Sequence, residues 1–391
     1  MSEIKVNSIK GVGASAAAIT VNNSDGTCTA NITNNLSNRN LIINGAMQCA
    51  QYGTSSSSGS GGFTCDRFGV YPSGLDEAPT QTQHTLTSSD TGPYEAGFRK
   101  SLHIQNGNQT GGAGAADNLR ILYKVEAQDI ANSGWNYTSA SSYITLSFWV
   151  KSSVAQNFYV QFRTRDTPEY NYTIETGSLS ADTWTKVTKT IPGNSNLVFN
   201  NDNGTGTEIN FWQFAGTDLT GSMTLNQWAA YSGSARMPDM TSTWYTTNDA
   251  TFEITGVQLE VGSVATDFEH RSFAQEIQLC KRYYQMFTTK TTDTYAGLNV
   301  FYYTSGRIEC PVRYEPQMRT TPSLDQGSGT NYFVVYSNNQ ADLFDGFGGI
   351  NAGTDKSGSL FQTSGISGTG GHAGGLYLAN ANAYIAFNAE L

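Results

Sequence analysis

Charge is scarce in this chain. Asp, Glu, Lys and Arg make up 14% of it, against roughly 25% in ordinary soluble globular proteins. The basic side is the weaker one, 22 Lys and Arg facing 32 Asp and Glu for a net charge of −10. Contact with phosphates needs a clustered excess of Lys and Arg, so nucleic acid is excluded as a partner and an anionic lipid surface is disfavoured. Long apolar runs are also missing. No stretch approaches the ~20 residues a membrane helix requires, and the opening Met1-Ser2-Glu3-Ile4-Lys5 lacks the apolar core of a signal peptide. Synthesis in a cytoplasm, without membrane insertion, is expected. Cysteine is sparse: Cys28, Cys49, Cys65, Cys280 and Cys310 are odd in number and widely spaced, with no C-x-x-C pair to suggest zinc or redox chemistry. They read as reduced.

Motifs of catalysis are equally thin. The histidines His84, His103, His270 and His372 are isolated along the chain, and no Gly-x-Ser-x-Gly elbow, His-Glu-x-x-His pair or phosphate-cradling loop occurs. The acidic and amide-rich stretch from Asn201 to Glu208 lacks the spacing of the twelve-residue calcium loop and reads as a solvated turn. No enzyme activity, metal or cofactor is expected.

Against these absences stand 41 Gly, 21 Tyr and 19 Phe, with abundant Ser, Thr and Asn. Neutral amides and hydroxyls thus supply the polarity, and the aromatic and β-branched content favours pleated strands. An all-β fold follows. In Tyr143–Val150 the residues Leu146, Phe148 and Val150 share one face, and Phe158, Val160 and Phe162 repeat the pattern while Gln161, Arg163 and Arg165 face away. Trp149, Trp184 and Trp212 fall inside such alternation and are expected in the core; Trp228 suits core or surface. From Thr251 to Val261 the apolar phase switches at Gly256, as at a β-bulge or sharp bend.

The first forty residues are small and polar, with apolar marks too far apart to close a core. They read as extended strands pairing with their copies or with the body that carries the protein, or as disorder. A packed domain starts at Asn40-Leu41-Ile42-Ile43-Asn44-Gly45, whose Asn-Gly favours a tight turn. One helix interrupts the strands: Ser272 caps it, Gln275 completes a capping box, and Phe273, Ile277, Cys280 and Tyr284 form an apolar stripe. Mutual burial of three such stripes on a trimer axis is the preferred use. Further strands follow at 297–303, 306–314 and 332–336, a glycine-rich loop is expected over 345–375, and the chain ends on the alternating Ile385, Phe387, Ala389 and Leu391. The divisions are therefore an N-terminal segment, 1–40; a β-sandwich body, 41–268; a linking helix, 269–290; and a C-terminal β domain, 291–391.

Three stretches, NLIINGAMQCAQYG at 40–53, TGVQLEVGSVATDFEHRSFAQEIQLCKRYYQ at 255–285 and the closing AYIAFNAEL, resemble tail fibres and related receptor-binding proteins of tailed phages, including those of cyanobacterial podoviruses. The resemblance implies a homotrimer in the virion, a thin N-terminal segment bound to other virion proteins, and a jelly-roll domain similar to carbohydrate-binding modules. The expected function is adhesion to a host surface glycan, with a purely structural virion protein and a glycan-depolymerising tailspike as alternatives. Sugar recognition needs flat aromatic faces ringed by amides and hydroxyls. Trp135 and Tyr137, Tyr170 and Tyr172, and Trp244 and Tyr245 lie near turn-forming residues and are the candidate stacking pairs.

Overall fold

A computed structural model describes residues 7–9, 12, 19–21, 24, 28–30, 38–56, 62–288 and 294–391. Most of the segment expected to dock to a virion, residues 1–40, lies outside the described residues; within it, Ser8–Ile9, Ile19–Val21 and Cys28–Ala30 pair as a small antiparallel sheet.

The body is two antiparallel sheets. One runs in the order Thr185–Pro192, Tyr143–Ser152, Thr251–Val261, Lys100–Gln105, Thr80–Thr85 and Ser55–Ser56; the other runs Trp228–Ala230, Tyr170–Ser178, Asn157–Thr164, Thr205–Ala215, Asn118–Glu126, Phe68–Ser73 and Gly62–Phe63. The pairs Lys100–Gln105 with Thr251–Val261, Asn118–Glu126 with Thr205–Ala215, Tyr143–Ser152 with Thr185–Pro192, and Asn157–Thr164 with Tyr170–Ser178 are nested in sequence and alternate between sheets. This is the rolled-up hairpin of a jelly roll. Between the sheets lie the inward phases read from the sequence, Leu146, Phe148 and Val150 against Phe158, Val160 and Phe162, all buried.

Gly256 is the switch that its phase change predicted. Its φ is +61°, and the ladder to Tyr143–Ser152 slips between Ser147 and Trp149. A Cβ there would lie 2.6 Å from Phe98 Cζ and 3.1 Å from Trp149 Cδ1, so glycine is required for both conformation and space. Before the switch, Thr251–Ile254 pairs with Lys100–Gln105. After it, the backbone amides of Leu41 and Val257 bond the carbonyls of Leu259 and Gly45, respectively. The packed domain thus opens by tying residues 40–45 alongside its last strand.

The tryptophans expected in the main core lie outside it. Trp149 and Trp184 pack half-buried on the outer face of the first sheet with Phe98, Leu86 and Phe268. Trp212 is buried on the outer face of the second, covered by Met237 from the segment that follows its strand. Each strand has two faces, and both sheets carry packing on the outside as well as between them, so alternation gave the phase without telling which face was core.

The helix runs from Phe273 to Lys281 with the expected box: Ser272 Oγ accepts from the Gln275 amide at 3.3 Å, and Gln275 Oε1 accepts from the Ser272 amide at 3.1 Å. After it, Tyr284–Met286 joins a three-stranded sheet with Tyr384–Asn388 and Ser323–Gly327. A second sheet runs in the order Gln340–Phe344, Phe333–Ser337, Ala373–Leu378, Thr294–Thr304, Arg307–Arg313, Ser357–Gln362 and Gly349–Asn351. These sheets share a second core that includes Val300, Ile308, Phe333, Leu376, Ile385 and Phe387. The loop expected over 345–375 is corrected: it contains Gly349–Asn351 and Ser357–Gln362 and begins Ala373–Leu378, because Leu360 and Leu376 are apolar enough to fill the core while glycines and serines occupy the neighbouring positions.

Candidate functional site

The aromatic pairs predicted for sugar stacking separate into buried and half-buried groups. Trp135 is 2% exposed, Tyr172 3%, Trp244 0% and Tyr245 1%, which removes all four from a ligand-facing rim. Trp244 and Tyr245 lie in a single helical turn, Thr243–Thr246. It directs Trp244 Nε1 to the carbonyl of Thr251 at 2.9 Å, and Tyr245 OH to Asp117 Oδ2 at 3.0 Å with its ring stacked on Phe214. Four residues carry too little periodicity to reveal that turn. Trp135 packs against Phe199, as does the half-buried Tyr137, and Tyr172 tilts onto Trp228. Tyr170 is half-buried beside the same core.

The helix stripe is also corrected. Cys280 and Tyr284 are 0% and 1% exposed within one chain, since the helix stops at Lys281 and Tyr284 has already entered a strand, its hydroxyl donating to Asp325 at 2.8 Å. Ile277 is half-buried and Phe273 is 58% exposed, so only the start of the stripe is turned outward.

Exposed aromatics gather instead on the outer face of the C-terminal seven-stranded sheet. Tyr303 is 65% exposed, Tyr336 52% and Phe301 37%. Their strands pack Val300, Tyr302, Phe333 and Val335 inward, and period-two alternation puts the intervening side chains outside. Phe301 opposes Glu309 across one ladder and Glu309 opposes Phe361 across the next, giving a row of ring, carboxylate and ring. Arg307 closes this row. Its guanidinium lies 5.6 Å from the centroid of Tyr303 and 5.0 Å from that of Phe361, within cation–π range. Its Nε donates to Glu309 Oε1 at 3.0 Å, and Nη2 donates to the same oxygen. Ser359 Oγ donates to Glu309 Oε2, and Asn351 Nδ2 reaches Oε1 at 3.5 Å. Glu309 itself is 5% exposed, so a buried carboxylate fixes an arginine, a serine and an asparagine at the foot of exposed rings. Farther across the sheet, Tyr336 meets Tyr377 edge-on at 5.1 Å. A face of this kind presents planar apolar surface with donors and acceptors held in place, the combination that receives a sugar ring or a partner's polar backbone.

The body carries a second concavity of about 470 Å³ on the outside of its first sheet, lined by Trp149, Phe98, Phe268, His270, Lys186 and Asp267 among others. His270 is tied there, its Nε2 3.0 Å from the carbonyl of Ala96. On the same sheet His84 and His103, isolated in sequence, stand 5.5 Å apart ring to ring.

No family model matches the chain, and no curated protein does. Solved structures match it weakly. The enzymatically active domain of tailspike protein 4 of bacteriophage CBA120 matches at TM-score 0.29 and 11% identity over 57% of this chain, which spans 21% of that one. A putative sugar binding protein from Bacteroides thetaiotaomicron matches at TM-score 0.28 and 12% identity over 57% of this chain and 99% of its own. A family 11 carbohydrate-binding module from Clostridium thermocellum, in complex with a mixed-linked tetrasaccharide, matches at 0.25 and 10% over 51% and 91%. At such scores and identities these likenesses carry no argument about binding, and the site rests on its own geometry.

Proposed function

We propose that this chain is an adhesion protein of a phage particle, a homotrimer that docks to other virion proteins through residues 1–40 and contacts host surface glycan, without catalysing a reaction, through the outer face of its C-terminal seven-stranded sheet. The observation that carries the reading is the pair Arg307 and Ser359, both hydrogen-bonded to the buried Glu309 beneath the exposed rings of Phe301 and Tyr303. Rings supply stacking area, and the prearranged polar groups meet ligand hydroxyls without a further ordering cost. The low content of charged residues, 14%, supports it, because glycans are recognised by amides, hydroxyls and aromatics and need no strong field. The resemblance of residues 40–53 and 255–285 to phage tail fibres supports the particle and the three-fold assembly, with Phe273 a candidate contact between copies. Each sugar contact on one subunit would be weak, and three subunits engaging together raise the avidity.

A structural virion protein is the second reading, and a specific observation favours it: Leu343 is 45% exposed on the same face as Tyr336, an apolar addition that suits a protein surface better than a sugar. Purified chain tested on a glycan array and on intact host cells separates the two. Saturable binding to a defined glycan class supports adhesion. Failure on both, with capture by purified virion proteins, supports the structural role.

A further inference from the structure

We infer that the outer face of the first body sheet holds a divalent transition-metal ion between His84, His103 and Glu253. The three residues come from three adjacent strands, Thr80–Thr85, Lys100–Gln105 and Thr251–Val261. Register places Glu253 directly opposite His103, and puts His84 opposite Ser101, two residues from His103 on the same face. The side chains converge. His84 Nδ1 lies 3.0 Å from Glu253 Oε2, His103 Nδ1 lies 3.3 Å from Glu253 Oε1, and ligand atoms of all three residues lie within 4.8 Å of one another. An ion about 2.0–2.2 Å from each donor spans such a triangle after a small rotation of the exposed His84 ring. His103 Nδ1 is buried without an aligned hydrogen-bond partner despite its closeness to the carboxylate, as suits a nitrogen that uses its lone pair on an ion.

Two imidazoles and one carboxylate select zinc, nickel or copper over calcium and magnesium, which prefer all-oxygen shells. Ser101 Oγ donates to Glu253 Oε2 at 2.7 Å and fixes the carboxylate from behind. Lys151 is the competing cation, with its Nζ 2.8 Å from Glu253 Oε1; it also lies 3.3 Å from Asp90 Oδ1, which can retain it when the metal takes Glu253. Three protein ligands leave a fourth position on the exposed His84 side for water or for a donor from a bound molecule.

The test uses the full, untagged chain, titrated calorimetrically with Zn²⁺ and followed by visible absorption with Co²⁺ as the spectroscopic probe. One ion per chain is expected, with no saturable uptake of Ca²⁺. His84→Gln, at a half-exposed position, and His103→Gln should each weaken binding at least tenfold while leaving the far-ultraviolet circular dichroism unchanged. Lys151→Gln, which removes the competing charge, should tighten it. Absence of saturable Zn²⁺ binding overturns the site, as does an affinity unchanged in both histidine variants.

Discussion

Arg67 and Glu390, 323 residues apart, form an ion pair at the junction of the two cores, their side chains 1% and 9% exposed. The guanidinium also donates to the carbonyl of Lys124 at 2.6 Å and lies 3.4 Å from the centroid of the Tyr283 ring. Nearby, Glu126 accepts from Arg282 at 2.7 and 2.9 Å and from Tyr283 OH at 2.6 Å. The body, the residues just after the helix and the residues just after the final strand are therefore joined by buried polar contacts, and the C-terminal sheet is presented from a fixed base.

Glu390→Gln keeps the shape and strands the arginine's charge. Loss of one partner of a buried pair costs about 3–5 kcal/mol, and the expected result is a lower urea midpoint with the C-terminal unit released first. Midpoints within error of the wild type would show that the junction contributes nothing.

Asp66 gives stability a pH dependence of the opposite sign to that of a salt-bridged acid. Burial pushes its carboxyl up to about 7, against the opposing hydrogen bonds from Gln51. The folded state then keeps a proton that the unfolded chain has released, so this contribution is full below the ordinary value of 3.8 and is lost as pH rises toward 7. Asp66→Asn abolishes that dependence. Its stability relative to wild type should improve between pH 4 and 8 by on the order of a few kcal/mol, since each tenfold change in proton affinity is worth ~1.4 kcal/mol. Differences between the two curves that stay constant with pH would contradict this. The comparison is needed because Glu253 and Glu126 behave oppositely: burial raises both, but contacts with Lys151 and Ser101 in the one case and Arg282 in the other outweigh it and hold them low.

Gly256→Ala places a methyl against Phe98 and Trp149 in a backbone conformation that suits glycine. Overpacking and left-handed strain together predict a loss of roughly 2–4 kcal/mol, read as a shifted denaturation midpoint. A neutral result would mean that the strand crosses without needing the switch.

The strand phases, the bend at Gly256, the capping box and the closing strand were legible because each is a local pattern. What escaped depended on distant chain. Trp244 and Tyr245 resemble rim aromatics until a four-residue turn carries them inside. Trp149 and Trp212 alternate like core residues yet sit on outer faces. His84 and His103 meet only through strand register. The aromatic C-terminal face was visible only as strands at 297–303 and 332–336, and alternation through Phe301 and Tyr303 was the signal that would have given its exposed side; Arg307 and Glu309 join them only across a strand ladder.

The measurement closest to the central claim is an adsorption isotherm of wild type and of Tyr303→Ala/Tyr336→Ala on the glycan that the wild type binds best. Both tyrosines are more than half exposed, so the melting temperature should not move. Two lost stacking surfaces, each worth about 0.5–1.5 kcal/mol, predict an affinity at least several-fold to roughly a hundredfold weaker. An unchanged isotherm would contradict the account and place the adhesive surface elsewhere on the chain.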